Sequence, residues 1–163
     1  MASDYSFDVV SEFDKQELVN AIDISRREIS NRYDLKDTKS EIEYKEDSIF
    51  LTAPDDYKVK AIFDILQSKS IKRGLSIKIF DTQKLEAAFG GTCKQEIKLR
   101  NGLKSDQAKL LNKKIRERFP KVKIQIQGES VRVFHKSKDG LQEVIAFLKE
   151  LDYENPLQFI NFR

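Results

Sequence analysis

The chain has 163 residues, 39% of them hydrophobic and 35% charged, with a net charge of +3. That is enough apolar material for one ordinary domain or two small ones, and too even a mixture of charges for a disordered acidic or basic tail. No run approaches the roughly 18 apolar residues of a membrane span, the first residues lack the basic-then-apolar order of a signal peptide, and the single cysteine, Cys93, allows no internal disulfide.

In chain order, Ser6 to Glu12 is a β-branched and aromatic run that reads as a strand. Asp14 then suits a helix N-cap, with Glu17 completing a capping-box pattern, and Leu18, Ala21, Ile22, Ser25 and Ile29 recur at the helical period. Glu41 to Lys45 and Ser48 to Thr52 alternate around the two residues Glu46-Asp47, as in a hairpin. After Pro54 and a capping Asp55, a helix carries Val59, Ile62, Phe63 and Leu66 to a stop at Gly74, and Leu75 to Phe80 alternates as a strand.

The same order then returns. Cys93 to Arg100 reads as a strand and Ser105 to Phe119 as a helix. Lys121 to Gln127 and Ser130 to Val133 form a hairpin turning at Gly128-Glu129; Leu141 to Leu148 is helical and Leu157 to Phe162 closes as a strand. The second hairpin and its following helix match the first at an offset of 82: Ser48, Ile49 and Leu51 fall on Ser130, Val131 and Val133. Two βαββαβ units predict an α+β fold of two ferredoxin-like domains, each an antiparallel four-stranded sheet with two helices on one face. Residues 1–82 and 93–163 are the expected domains, and 83–92, with Gly90-Gly91, reads as the linker.

Charge divides unevenly between the halves. Residues 1–82 hold 13 Lys and Arg against 17 Asp and Glu, and the remainder hold 17 against 10. A polyanionic partner is therefore expected on the C-terminal half. Catalytic chemistry is thinly supplied. His135 follows a strand with no cysteine near it in sequence, Cys93 has no adjacent group to make it a thiolate, and Asp55-Asp56 is explained by a helix start. The six glycines contain no phosphate-cradling spacing. A non-enzymatic protein without metal or cofactor is expected, in the reduced setting of the cytoplasm and with no membrane contact.

Binding chemistry is better supplied. A sheet covered by helices on one face leaves the other open. With Val122, Ile124, Ile126, Val131 and Val133 facing the helices, alternation puts Lys121, Lys123, Gln125, Gln127, Arg132 and Phe134 on the open side. Lys136 and Lys138 follow with two more cations. Cations for phosphates, amides for base edges and a ring for stacking suit a nucleotide or single-stranded RNA. The same residues also suit a solvated face, or one that contacts a regulatory protein partner.

Several strings together resemble the YajQ-like family of small bacterial nucleotide-binding proteins: SFDVVSE (6–12), REISNRYDL (27–35), IKRG (71–74), KQEIKLRNGL (94–103), KVKIQIQGESVRV (121–133) and PLQFINFR (156–163). They run in order over almost the whole chain. The resemblance implies two ferredoxin-like domains that exchange their first strands, which places strand 6–12 in the second sheet and strand 93–100 in the first. It also implies a nucleotide ligand (a mononucleotide or a cyclic dinucleotide such as cyclic di-GMP) or RNA, bound without a reaction. Two positions depart from the family's pattern. Where the family reads Thr-Gly-Lys-Ser-Arg-Asp-Asp-Leu-Gln, this chain runs from Phe134 to Gln142 with His135 at the glycine, and Asp37 stands at a second glycine of the family.

Overall fold

A computed structural model describes residues 4–163, which fall into two compact units. Unit 2 is the continuous segment Phe13–Arg100, while unit 1 combines the residues up to Glu12 with Asn101–Arg163. The elements in order are β1 (Tyr5–Val10), α1 (Lys15–Asn31), β2 (Glu41–Lys45), β3 (Ser48–Ala53), α2 (Asp56–Lys72), β4 (Phe80–Thr82), β5 (Glu86–Ala88), β6 (Thr92–Leu99), α3 (Ser105–Arg118), β7 (Lys123–Gln127), β8 (Ser130–His135), α4 (Lys138–Glu150) and β9 (Gln158–Ile160).

Unit 1 has the antiparallel sheet β7-β8-β1-β9, and unit 2 has β2-β3-β6-β4 with β5 as an extra partner of β6. Each sheet is ferredoxin-like, and each takes its central strand from the other half of the sequence. β1 pairs with β8 (Phe7 opposite Val133), and β6 pairs with β3 (Ile97 opposite Ile49). Helices cover one face of each sheet. In unit 1, Phe7, Val9, Val131 and Val133 pack with Ala108, Leu111, Ile115, Leu141, Val144 and Leu148; in unit 2, Ile49, Leu51 and Ile97 pack with Leu18, Ile22, Ile62 and Leu66. The repeat offset is carried into the structure, since β2 and β3 moved by 82 residues give the bounds of β7 and β8.

The local signals act as their chemistry requires. Asp14 accepts hydrogen bonds from the Gln16 and Glu17 amides, Asp55 from that of Lys58, and Ser137 from that of Gly140. Both hairpin turns begin in the left-handed region, at Glu46 (φ 56°) and Gly128 (φ 58°). Glu17 does not close a capping box. Its carboxylate is held instead by the Arg73 guanidinium at 2.7 and 3.0 Å, which ties the start of α1 to the end of α2.

Three stretches differ from the expectation. Leu75 to Phe80 is not a strand: Ile77–Ile79 forms a 3-10 turn whose start is capped by Ser76, and only Phe80–Thr82 joins the sheet. Arg100 holds that turn in place, its amide donating to the Ile79 carbonyl and its guanidinium to that of Lys78. Residues 83–92 are not a free linker. Glu86–Ala88 pairs with β6, and the Gln83 and Gln95 hydrogen bonds fix the arm at its base. The last strand ends at Ile160, where Asn161 turns left-handed (φ 57°) before Arg163 resumes pairing with Ser6 through two backbone hydrogen bonds. That one-residue irregularity is a β-bulge.

Among the described residues no helix is long and apolar enough to cross a membrane.

Candidate functional site

The face of the unit 1 sheet turned away from the helices carries the residues that alternation singled out. Lys123 lies opposite Phe134 on β8, and Gln125 opposite Arg132. Across β8, Phe134 faces Ser6 and Arg132 faces Asp8 on β1. Lys123 and Gln125 are exposed, and Phe134 is half-buried between Lys123 on one side and Ser6 on the other. Lys121 stands apart, exposed in the turn before β7. Ile126, expected to face the helices, is 39% exposed beside the turn of this edge strand.

Arg132 is not a free cation. Its Nε and Nη2 donate to the two carboxylate oxygens of Asp8 at 2.7 and 3.2 Å, and Asn161 Nδ2 donates to the same carboxylate at 2.8 Å. Asp8 is 5% exposed. The Arg132 hydrogen bonds hold its carboxyl below the ordinary value of 3.8, against a smaller opposing push from burial; Asn161 and the charge of Arg163 add to the lowering. Of the three cations that alternation puts on the open side, Lys121, Lys123 and Arg132, the structure thus leaves Lys121 in the turn before β7 and pairs Arg132 with Asp8. Lys123 is the one of the three that lies on a strand and forms no ion pair among the described residues, while Arg132 is neutralised within the sheet.

A group whose folded-state pKa is depressed stabilises the fold above its unfolded pKa, and that stabilisation fades as pH falls through the folded value. Asp8→Ala should therefore cost about 2 kcal/mol at neutral pH, the scale of losing charge-assisted hydrogen bonds. The urea midpoints of parent and variant should draw together only as pH falls below the ordinary carboxylate value of 3.8, and converge once it passes the depressed folded value at which the parent's carboxyl protonates. Equal midpoints at neutral pH would show that the clamp adds nothing.

Lys136 and Lys138 lie beyond β8. Lys136 is exposed in the loop, and Lys138 opens α4 with its ammonium 5.4 Å from the Tyr5 ring centroid. His135, between Phe134 and Lys136, accepts a hydrogen bond from the Ser137 amide at 3.0 Å and lies against Gly140, where any Cβ would collide with the imidazole. His135 and Gly140 thus belong together: the ring fills the space a side chain at 140 would take. Asp37 adopts the left-handed conformation (φ 61°), so the backbone shape that glycine favours is kept without glycine.

The unit 2 sheet offers a contrast on the same frame. At the positions of Lys123 and Gln125 it carries Glu41 and Glu43, and Lys94 sits over the Phe50 ring at 4.8 Å beside Glu96. Its open face is mixed in charge: Lys94 and Lys98, which like Lys123 form no ion pair among the described residues, alternate with Glu96 on β6. Among the described residues no three His, Cys, Asp or Glu side chains come together as a metal would need.

Sequence reasoning missed Asp8, Asn161 and Arg163. A signal for Asp8 was present, because alternation in Ser6-Phe7-Asp8-Val9 sets a carboxylate on the face opposite two core residues.

The family described as "Nucleotide-binding protein YajQ-like" matches residues 5–163. A protein of a Synechococcus strain is 52% identical over 163 residues, and one of Trichodesmium erythraeum 50%, each aligned over the full length of both chains. One of Prochlorococcus marinus is 52% identical over 165 aligned residues, again covering both chains completely. All three are named nucleotide-binding proteins.

Proposed function

This chain belongs to the YajQ-like family, and we propose that it binds a nucleotide ligand on the open face of the unit 1 sheet, without catalysing a reaction. The observation that carries the reading is the facing pair Lys123 and Phe134, an unpaired ammonium beside a half-buried ring, with Gln125 next along the strand. A phosphate would meet Lys123, with Lys121 and Lys136 as outlying cations, and a base would stack on Phe134 while the Gln125 amide reads its edge. Arg132, fixed by Asp8, shapes the face more than it binds. Regulation in the cytoplasm through RNA or a cyclic dinucleotide such as cyclic di-GMP is the role this chemistry suits.

Salt dependence separates the two ligand classes. A single-stranded RNA contacts many phosphates, and losing one contact lowers the log–log salt slope by about 0.7, whereas a cyclic dinucleotide has only two phosphates to offer. Titration with each ligand across a salt series should show Lys123→Ala weakening binding and flattening the RNA slope. Phe134→Ala should weaken binding by about 1–3 kcal/mol per stacked base with the slope unchanged. If both variants bind like the parent, the face is not the site, and a protein-docking role for it takes precedence.

A further inference from the structure

We propose that unit 1 carries a second ligand site, distinct from the open-face pair and independent of it: a cleft at the β1 and α4 ends that takes one mononucleotide, a planar base bearing a terminal phosphate. The cleft measures about 320 Å³ and is lined by the rings of Tyr5 and Phe162, the apolar Leu141, the amide of Gln142 and the cations Lys138 and Arg163. That size lies at the small end of ligand cavities and suits a single compact ligand better than a polymer.

Each lining group is positioned by the fold. Phe162 stacks on the fully buried Phe7 (centroids 6.0 Å apart, planes 27°) yet remains 58% exposed, so one face is anchored while much of the ring stays open. Arg163 is held by its backbone to Ser6 through two hydrogen bonds, a consequence of the bulge at Asn161, and its guanidinium forms no ion pair among the described residues. Lys138 rests over Tyr5 and also makes no ion pair there. It is the first residue of α4, where the helix adds its own partial positive charge. Two cations outside any close ion pair among the described residues, one of them (Arg163) also felt by the Asp8 carboxylate, lie next to two rings and an amide and match the anion, the π-face and the hydrogen-bonding edge of a nucleotide.

Two other clefts among the described residues lack this combination. The one beside Arg26 includes Glu41 and Glu43, and Arg26 there already donates to the Ile42 carbonyl. The one along α3, between Lys109 and Glu117, has cations but no ring.

The test is calorimetric titration of the full chain with AMP and GMP, with guanosine and inorganic phosphate as separated halves of the ligand. Saturable binding of at least one mononucleotide is expected, with much weaker binding of guanosine and of phosphate. Arg163→Gln and Gln142→Glu should each weaken it about tenfold to a hundredfold, the range for losing a charge-assisted hydrogen bond or introducing repulsion, with circular dichroism unchanged. The open-face variant Lys123→Ala reports the other site. A mononucleotide whose affinity falls with Lys123→Ala and not with Arg163→Gln sits on the open face, which overturns the cleft and leaves the open-face reading standing. Absence of saturable mononucleotide binding overturns the cleft, and RNA titration still decides the open face.

Discussion

A fragment of residues 13–100 should fold and melt cooperatively by itself, whereas 1–82 and 93–163, the two halves of the repeat, should not. The contiguous fragment holds α1, β2, β3, α2, β4, β5 and β6, every strand of the β2-β3-β6-β4 sheet and the whole of its core. Residues 1–82 lack β6, which is the central strand. Six residues from Ser48 to Ala53 would lose their partners on the β6 side, and the fully buried Ile97 would leave a void against Ile49. Unpaired backbone and lost apolar burial together exceed the roughly 5–15 kcal/mol that holds a domain folded. Residues 93–163 lack β1, equally central between β8 and β9. A cut within 83–92 followed by separation therefore strips both sheets. Thermal circular dichroism on the three fragments reads this directly, and a sharp transition in 1–82 alone would contradict the pairing of β6 with β3.

The elements that obey local rules were the legible ones. Hairpin bounds, caps and core faces follow from alternation and from side chains within a turn of the feature. The destination of a strand does not, because Ser6–Glu12 and Cys93–Arg100 alternate alike and suit either sheet. The exchange entered through the family resemblance, and the register then shows it strand by strand. Leu75 to Phe80 was misread because a 3-10 turn there depends on Arg100, more than twenty residues on. Gly90 and Gly91 (φ 80° and 76°) read as slack, but they form the turn that lets β5 fold back on β6. At the candidate site the pairing of Lys123 with Phe134 was readable, since one turn fixes it. The neutralisation of Arg132 was not, since Asp8 lies 124 residues away and reaches it only across the exchanged strand.

Phe7→Ala should destabilise unit 1 by about 3–5 kcal/mol, the usual cost of truncating a fully buried phenylalanine. Phe7 has no exposed surface, sits on the central β1, and meets Phe159 edge-on at 5.9 Å and Phe162 in a stack at 6.0 Å. Its removal leaves a cavity among Val133, Val9 and the two helices and also releases the ring that lines the cleft. Because the core of unit 2 contains none of these residues, its transition should persist. Urea unfolding of the full-length variant should therefore split into an early step for unit 1 and a later one matching the isolated 13–100 fragment. Mononucleotide and RNA binding, both assigned to unit 1, should vanish with the early step and not the late one. A single transition lowered as a whole would mean that the two units unfold as one body and that the central strands couple them. Ligand binding that outlasts the early step would remove both proposed sites from unit 1.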